Sequence, residues 1–296
     1  MSLIFEQTLN GLQLGVTLFV IAAGLTLVFG IMNLLNLAHG SLYMVGAYLC
    51  ASAVAITGNF VAAVSVSVVG TCLLAIVLER LVIRHFYSRD HLDQVIATFG
   101  LLIVFNELVR IVWGPISLFT TTPPSLSGQI LIFSSFSYPS YRLMLITAGL
   151  LVAVLLWWIV AKTKFGVLIR ASASQPGIMP ALGVNTNLLS ASVFVLGAAF
   201  AAFAGALTAP LYTVEAGMGD SLLIKSFVVL VIGGLGSVRG AFVAAILVGL
   251  VDTFGRLLPG MANVPAAFGD AAIYLLMIGV LYFRPSGLFN ASASHA

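Results

Sequence analysis

Met32-Asn33-Leu34-Leu35-Asn36-Leu37-Ala38-His39-Gly40 interrupts a chain that is otherwise oily on both sides. The runs 9–31 before it and 41–57 after it are almost continuously apolar. Hydrocarbon offers no partner to a backbone amide or to a carboxamide side chain. The two asparagines, the histidine and the glycine must therefore face protein, headgroup or a water-filled path. A simple anchor has no use for such a break, so the stretch points to a route across a bilayer.

Composition supports this reading. Of 296 residues, 61% are hydrophobic and 7% are charged, where a soluble domain carries roughly 25% charged residues. The apolar runs are long and unbroken, which excludes the short alternating strands of an outer-membrane barrel. The expected fold class is an all-α polytopic membrane protein, with a single transmembrane domain over 1–296. Spans are expected at 9–31, 41–57, 60–83, 95–113, 143–161, 188–210, 222–235, 241–258 and 264–283. The seventh is short; it reads as a full span or as a re-entrant half-span, for about 8–9 helices in all.

The net charge of +3 does not mark a nucleic-acid surface, because the bases are scattered among short connections. Arg80, Arg84 and Arg89, then Lys162, Lys164 and Arg170, then Arg239 and Arg284 alternate onto one side. The positive-inside rule makes that side cytoplasmic, with the N-terminus outside. Arg142, Lys225 and Arg256 fall on the other side, with Glu6, Glu215, Asp220 and Asp270. The lipid bilayer is the expected partner, and no nucleic acid is. Cys50 and Cys72 both lie within spans and read as small packing residues.

Two connections are long. Residues 115–141, with Thr120-Thr121-Thr122-Pro123-Pro124, form an extracytoplasmic loop rather than a span. Residues 162–185 form a cytoplasmic loop with a moderately apolar face and glycines at both ends. They read either as a short helix pressed on another protein or as an ordinary interfacial loop.

Few polar groups fall inside spans. Glu107 and Arg110 are three apart, and Asp252 and Arg256 four apart, so each pair shares a helical face. Both are read as structural ion pairs, with a pathway role as the alternative. Asn33, Asn36 and His39 either line an inner gate or cap two helices. His39 has no second ligand at metal spacing, so no metal site is expected. No nucleophile constellation marks an enzyme. There is no G-x-x-x-x-G-K-[ST] phosphate loop, so the chain does not hydrolyse ATP itself. Gly234-x-Gly236-x-x-x-Gly240 has the wrong spacing for a dinucleotide fingerprint and suits close helix packing or a tight turn. An ion-coupled secondary transporter would need buried carboxylates as coupling sites. Glu107 and Asp252 each have a base nearby, which favours static pairing.

Several segments together resemble the permeases of branched-chain amino-acid ABC importers, the LivH-like subunit. They are Thr163-x-x-Gly166-x-x-x-Arg170-Ala171 ending in Leu182-Gly183-Val184, Asn36-Leu37-Ala38-His39-Gly40 with Gly46-Ala47-Tyr48, Glu79-Arg80, Ala97-Thr98-Phe99-Gly100, Trp113-Gly114, the glycine-rich Gly233–Ala241 stretch, and Arg284-Pro285-Ser286-Gly287-Leu288-Phe289. They run in order along nearly the whole chain. The resemblance implies an importer permease bundle in the bacterial inner membrane. It implies a second homologous permease subunit, two cytoplasmic ATPase subunits and a periplasmic substrate-binding protein. ATP would be bound by the partner subunits, and this chain would carry no cofactor. Gly166, Arg170, Ala171, Leu182 and Gly183 would form the coupling loop that the ATPases grip. The cargo implied is a branched-chain or other hydrophobic amino acid, with urea, short amides or aromatic acids as alternatives. The chain departs from the pattern in its mid-loop, where Gln175 and Gly177 stand in places that often carry acids. It departs again after His39-Gly40, where Ser41 replaces a frequent acid.

Overall fold

The structure is a computed structural model and describes residues 2–133, 136–175, 177–257, 265 and 267–289. These residues form ten α-helices and one small antiparallel hairpin. The helices are α1 (Ser2–Met32), α2 (His39–Thr57), α3 (Phe60–Leu81), α4 (His91–Trp113), α5 (Ser140–Lys162), α6 (Lys164–Ser174), α7 (Thr186–Thr208), α8 (Met218–Gly233), α9 (Val238–Gly255) and α10 (Ala267–Phe283). The hairpin pairs β1 (Gln129–Phe133) with β2 (Phe136–Pro139) and lies in the connection expected to be a loop. Each of the nine expected spans is a helix, and α6 comes from the 162–185 segment. The expected end of the eighth span at Leu258, the start of the ninth at Val264, and Pro176 lie outside the described residues.

Seven helices, α1 to α5 with α7 and α9, are long and apolar enough to cross a membrane. Helix α8 has 16 residues and α10 has 17. At 1.5 Å per residue these reach about 24–26 Å, short of the ~30 Å hydrocarbon core. Helix starts follow from local chemistry. Asn59 accepts from Val61 N and Ala62 N, Asn185 from Leu188 N, and Ser237 from Gly240 N, each supplying an acceptor to orphan first-turn amides. Helix α1 ends because Asn33 takes a left-handed φ of 52°. Its N–H then donates to Phe29 O at 2.8 Å, a turn that asparagine tolerates better than most residues.

The chain groups into two compact units. The first comprises Met1–Ala22, Thr122–Val154 and Ile224–Ala296. Glycines bring its helices into backbone contact. A Cβ on Gly15 would fall 2.8 Å from Ala245 O, and one on Gly249 would fall 2.5 Å from Gly11 O, so α1 and α9 touch without intervening side chains. Phe19 and Phe242 meet edge to face beside that contact, with ring centroids 5.1 Å apart. Asn10 Oδ1 accepts from Tyr138 Oη at 2.9 Å and from Arg142 Nη1 at 2.6 Å, tying the hairpin and α5 to α1. At the other end of this unit the C-terminal signature docks on the glycine-rich turn. Leu288 N donates to Ile232 O at 2.8 Å and Phe289 N to Gly233 O at 3.2 Å. The two segments share one end, in accord with Arg239 and Arg284 having been assigned to the same side.

The second unit comprises Ala23–Thr121 and Leu155–Leu223. Its centre is α2, enclosed by α3 and α7. Cys50, Ala53, Ala63 and Ala206 form a small-residue cluster there. A Cβ on Gly46 would lie 2.5 Å from Ala202 Cα, and Ser67 Oγ donates to Gly46 O at 2.6 Å. Tyr43 Oη and Thr208 Oγ1 share a buried hydrogen bond at 2.5 Å. Between α3 and α4, the buried Glu79 carboxylate holds the turn. It accepts from Arg84 Nε and Nη2, each at 3.2 Å, and from Tyr87 Oη at 2.9 Å. The outward faces of α3, α4 and α5 remain apolar, with Val69, Leu73, Ile103, Ile111, Leu151 and Trp158 exposed. A face of that kind suits lipid, in which helices satisfy their own backbone groups.

Candidate functional site

Two regions carry the polar residues singled out by the sequence. The first is the break after α1, whose path is fixed by contacts along α4. Asn33 Nδ2 lies 3.3 Å from His91 Nε2, at the start of α4. Thr98 Oγ1 donates to Leu35 O at 3.3 Å, seven residues further along. Trp113 Nε1, at the end of α4, donates to Ser52 Oγ at 2.7 Å. After α1 ends, therefore, the chain turns back and climbs beside α4.

Asn33, Asn36 and His39 are consequently spread along the ascent rather than gathered at one boundary. Asn33 is exposed. Asn36 is fully buried and its Oδ1 accepts from Ala38 N at 3.0 Å, an Asx turn just before α2, while its Nδ2 has no partner among the described residues. His39 is buried in the middle of the unit, where its Cε1 would meet a Cβ on Gly24 at 3.0 Å. Gly24 also packs on Gly197, halfway along α7.

Helix α8 enters the same zone from the opposite direction. The connection before it pairs with the segment after α4 through Leu118 and Val214. Gly217 N donates to Met44 Sδ at 3.3 Å. Then Gly219 meets Gly40, and a Cβ on Gly40 would fall 2.8 Å from Gly219 O. The first turns of α2 and α8 thus meet backbone to backbone, through glycines, inside the unit. Asp220 follows and accepts from Asn106 Nδ2 of α4 at 3.3 Å. In the sequence Asp220 reads only as an acid of the outer side, at the edge of the seventh span. The available signal was Gly219-Asp220-Ser221-Leu222, which echoes Gly40-Ser41-Leu42 after the first break.

The second region is the 162–185 segment. Thr163 Oγ1 accepts from Gly166 N at 3.1 Å and starts α6. Gly166 is buried against the last carbonyls of α5, Ile159 O and Val160 O, where a Cβ has no room. Arg170 Nη1 donates to Val160 O, which supplies a cation to the C-terminal end of α5. Ile169 and Met179 are buried, whereas Val167, Ile178 and Leu182 point outward. Ala171 is half-buried. Gly183 closes the short 3₁₀ turn Pro180–Leu182 with a left-handed φ of 76°. Gly166, Arg170 and Ala171 therefore lie on one small helix, with Leu182 and Gly183 on the turn that follows. The result is a rigid element with an uncovered apolar side.

The ion pairs form, but differently from each other. Arg110 Nη1 and Glu107 Oε1 are 2.9 Å apart on an exposed face of α4. Asp252 is buried and its main partner is Lys225, whose Nζ lies 3.0 and 2.9 Å from the two carboxylate oxygens. Lys225 belongs to α8, within the seventh span expected at 222–235, and is largely buried. Arg256 Nε reaches Asp252 at 3.2 Å and Arg256 Nη2 reaches Asp270 at 2.9 Å.

Comparison with known proteins agrees with this architecture. The family model described as "Branched-chain amino acid transport system / permease component" matches residues 7–281. The high-affinity branched-chain amino acid transport system permease protein BraD of Pseudomonas aeruginosa is 30% identical over 301 residues, covering 96% of this chain and 95% of BraD. The corresponding LivH of Escherichia coli K12 is 28% identical over 302 residues, covering 96% and 95%. Among solved structures, a chain of PsaBC from Streptococcus pneumoniae in complex with Fab superposes with a TM-score of 0.50 at 14% identity, covering 94% of this chain and 91% of that one.

Proposed function

The chain belongs to the family of branched-chain amino acid transport system permease components, and from that premise we propose that it carries branched-chain or other hydrophobic amino acids across the bacterial inner membrane as the permease subunit of an ABC importer. Two cytoplasmic ATPases supply the energy, a second homologous permease completes the pathway, and a periplasmic binding protein delivers the solute.

The observation that carries the proposal is the build of α6 and its following turn. Cap, buried glycine and arginine fix this element to the end of α5. Movement imposed on it is therefore passed to a membrane helix rather than absorbed by a slack loop. Val167, Ile178 and Leu182 give a partner protein an apolar face to press on. Gln175 and Gly177 make that face less charged than usual in the family, so grip here rests on shape and apolar contact. Aliphatic cargo suits the bundle as well, since its interior offers mostly alanine, glycine, leucine and valine walls.

The test is reconstitution. The chain should co-purify with its ATPase subunits and, in proteoliposomes with the binding protein, take up leucine only with hydrolysable ATP. Uptake by the isolated subunit without a nucleotide-binding partner would overturn the reading. So would labelling that places residues 162–185 on the periplasmic face.

A further inference from the structure

Among the described residues, three acids are buried or half-buried: Glu79, Asp220 and Asp252. Glu79 has Arg84, and Asp252 has Lys225 and Arg256. Among the described residues Asp220 has no base, and its carboxylate is met by the neutral Asn106 amide, at 3.3 Å. It lies level with Asn106, seven residues below the Trp113 end of α4, or about 10 Å at 1.5 Å per residue. A carboxylate at such depth is costly unless it faces a path or meets a cation. Capping does not account for it, because no backbone N–H of the described residues donates to its side chain. A first-turn acid does complement the helix dipole, but that alone does not call for Asn106 across the helix interface.

Two further buried polar atoms of this unit, one of them on the amide that meets Asp220, have no partner among the described residues. Asn106 Oδ1 is buried without a partner. Ser41 is 1% exposed and its Oγ has no partner either. Ser41 and Asp220 each directly follow one of the two glycines in contact, Gly40 and Gly219. The Asp220 carboxylate and the Asn106 amide oxygen thus stand together with unfilled acceptor capacity, and the unpaired Ser41 hydroxyl lies in the first turn of α2, which meets the first turn of α8. A primary ammonium has three N–H donors and one positive charge. Resting on the importer reading above, we propose that Asp220, with Asn106 and Ser41, receives the α-ammonium group of the amino acid in transit. The amide and hydroxyl oxygens are shut off from solvent, while Asp220 itself is half-buried.

The experiment is ATP-driven leucine uptake by the full importer in proteoliposomes, in sodium-containing and sodium-free buffer. Asp220→Asn should lower the uptake rate by about tenfold, the expected loss for one charge-assisted contact. Asp220→Glu should recover most of it, which a packing defect would not allow. If Asp220→Asn does not assemble, Asn106→Leu keeps the acid and removes the second acceptor, and it should slow uptake several-fold. Wild-type rates in both Asp220→Asn and Asn106→Leu would overturn the site while leaving the importer reading intact. Sodium-dependent uptake that Asp220→Asn makes sodium-independent would overturn it in favour of an inorganic cation. No leucine uptake by the wild-type complex would instead sink the importer reading on which the site rests.

Discussion

Lys225 Nζ sits 3.0 and 2.9 Å from the two carboxylate oxygens of Asp252, so the ammonium of one helix is chelated by the carboxylate of the next. Both groups are largely buried. Burying either alone would be expensive, because each would keep its desolvation cost without the compensating attraction. Asp252→Ala should therefore destabilise the protein by about 3–5 kcal/mol, the usual cost of orphaning one member of a buried pair. Exchanging the charges, Lys225→Asp with Asp252→Lys, should restore part of that. Thermal unfolding in detergent, followed by tryptophan fluorescence, reads both; equal losses in the single and exchanged variants would show that the pair is not coupled.

Gly205 and Gly100 make a matched test of close helix packing. A Cβ on Gly205 would strike Tyr43 O, while one on Gly100 meets nothing within 4 Å. Gly205→Ala should cost about 1–3 kcal/mol by overpacking the α2–α7 contact. Gly100→Ala should be neutral or should stabilise by up to about 1 kcal/mol, from helix propensity. The unfolding temperature should fall for Gly205→Ala and hold or rise for Gly100→Ala.

Gly183 has open space around it but a φ of 76°. A β-branched residue would fit the space and still strain the backbone, by about 1–2 kcal/mol. Gly183→Val should distort the turn after α6 and lower the ratio of leucine uptake to ATP hydrolysis. Gly183→Asn should retain that ratio, because asparagine tolerates the left-handed region. Parallel uptake and phosphate-release assays on the reconstituted complex distinguish the two.

Tyr87 lies in the turn between α3 and α4 and donates to the buried Glu79 carboxylate at 2.9 Å. Burial pushes its phenol above the ordinary range, and the hydrogen bond to Glu79 and its charge push the same way, with Arg84 opposing. A raised folded value means that the folded state holds the phenolic proton more tightly. The stabilisation is fully present below about pH 10, the unfolded value, and is lost as pH rises through the folded value. Tyr87→Phe should cost about 1.5–3 kcal/mol at pH 7, and its stability should fall less steeply than wild type above pH 10. Unfolding curves at pH 7 to 11 for both proteins check the sign.

The class of fold and nearly all of its elements are legible in the chain's own pattern of residues. Apolar runs of membrane length have few ways to satisfy their backbones, so α1 to α5, α7 and α9 were legible from hydropathy and length alone. The 162–185 segment was legible as a distinct element because Thr163, Gly166 and Gly183 are local signals for a cap, a close approach and a turn. Tertiary structure alone decided what meets what. Asn33, Asn36 and His39 looked like one cluster, but a left-handed residue sends the chain back up beside α4 and separates them. Asp252 looked paired with Arg256, four residues away, yet its closer partner is Lys225, twenty-seven residues distant. Asp220 looked like an acid of the outer side until α8 was seen to start deep in its unit beside Gly40. Helix formation is governed by local hydrogen bonds and the oil around them, which sequence spells out. The pairing of charges and glycines is governed by which helices cross, and that depends on contacts far apart in the chain.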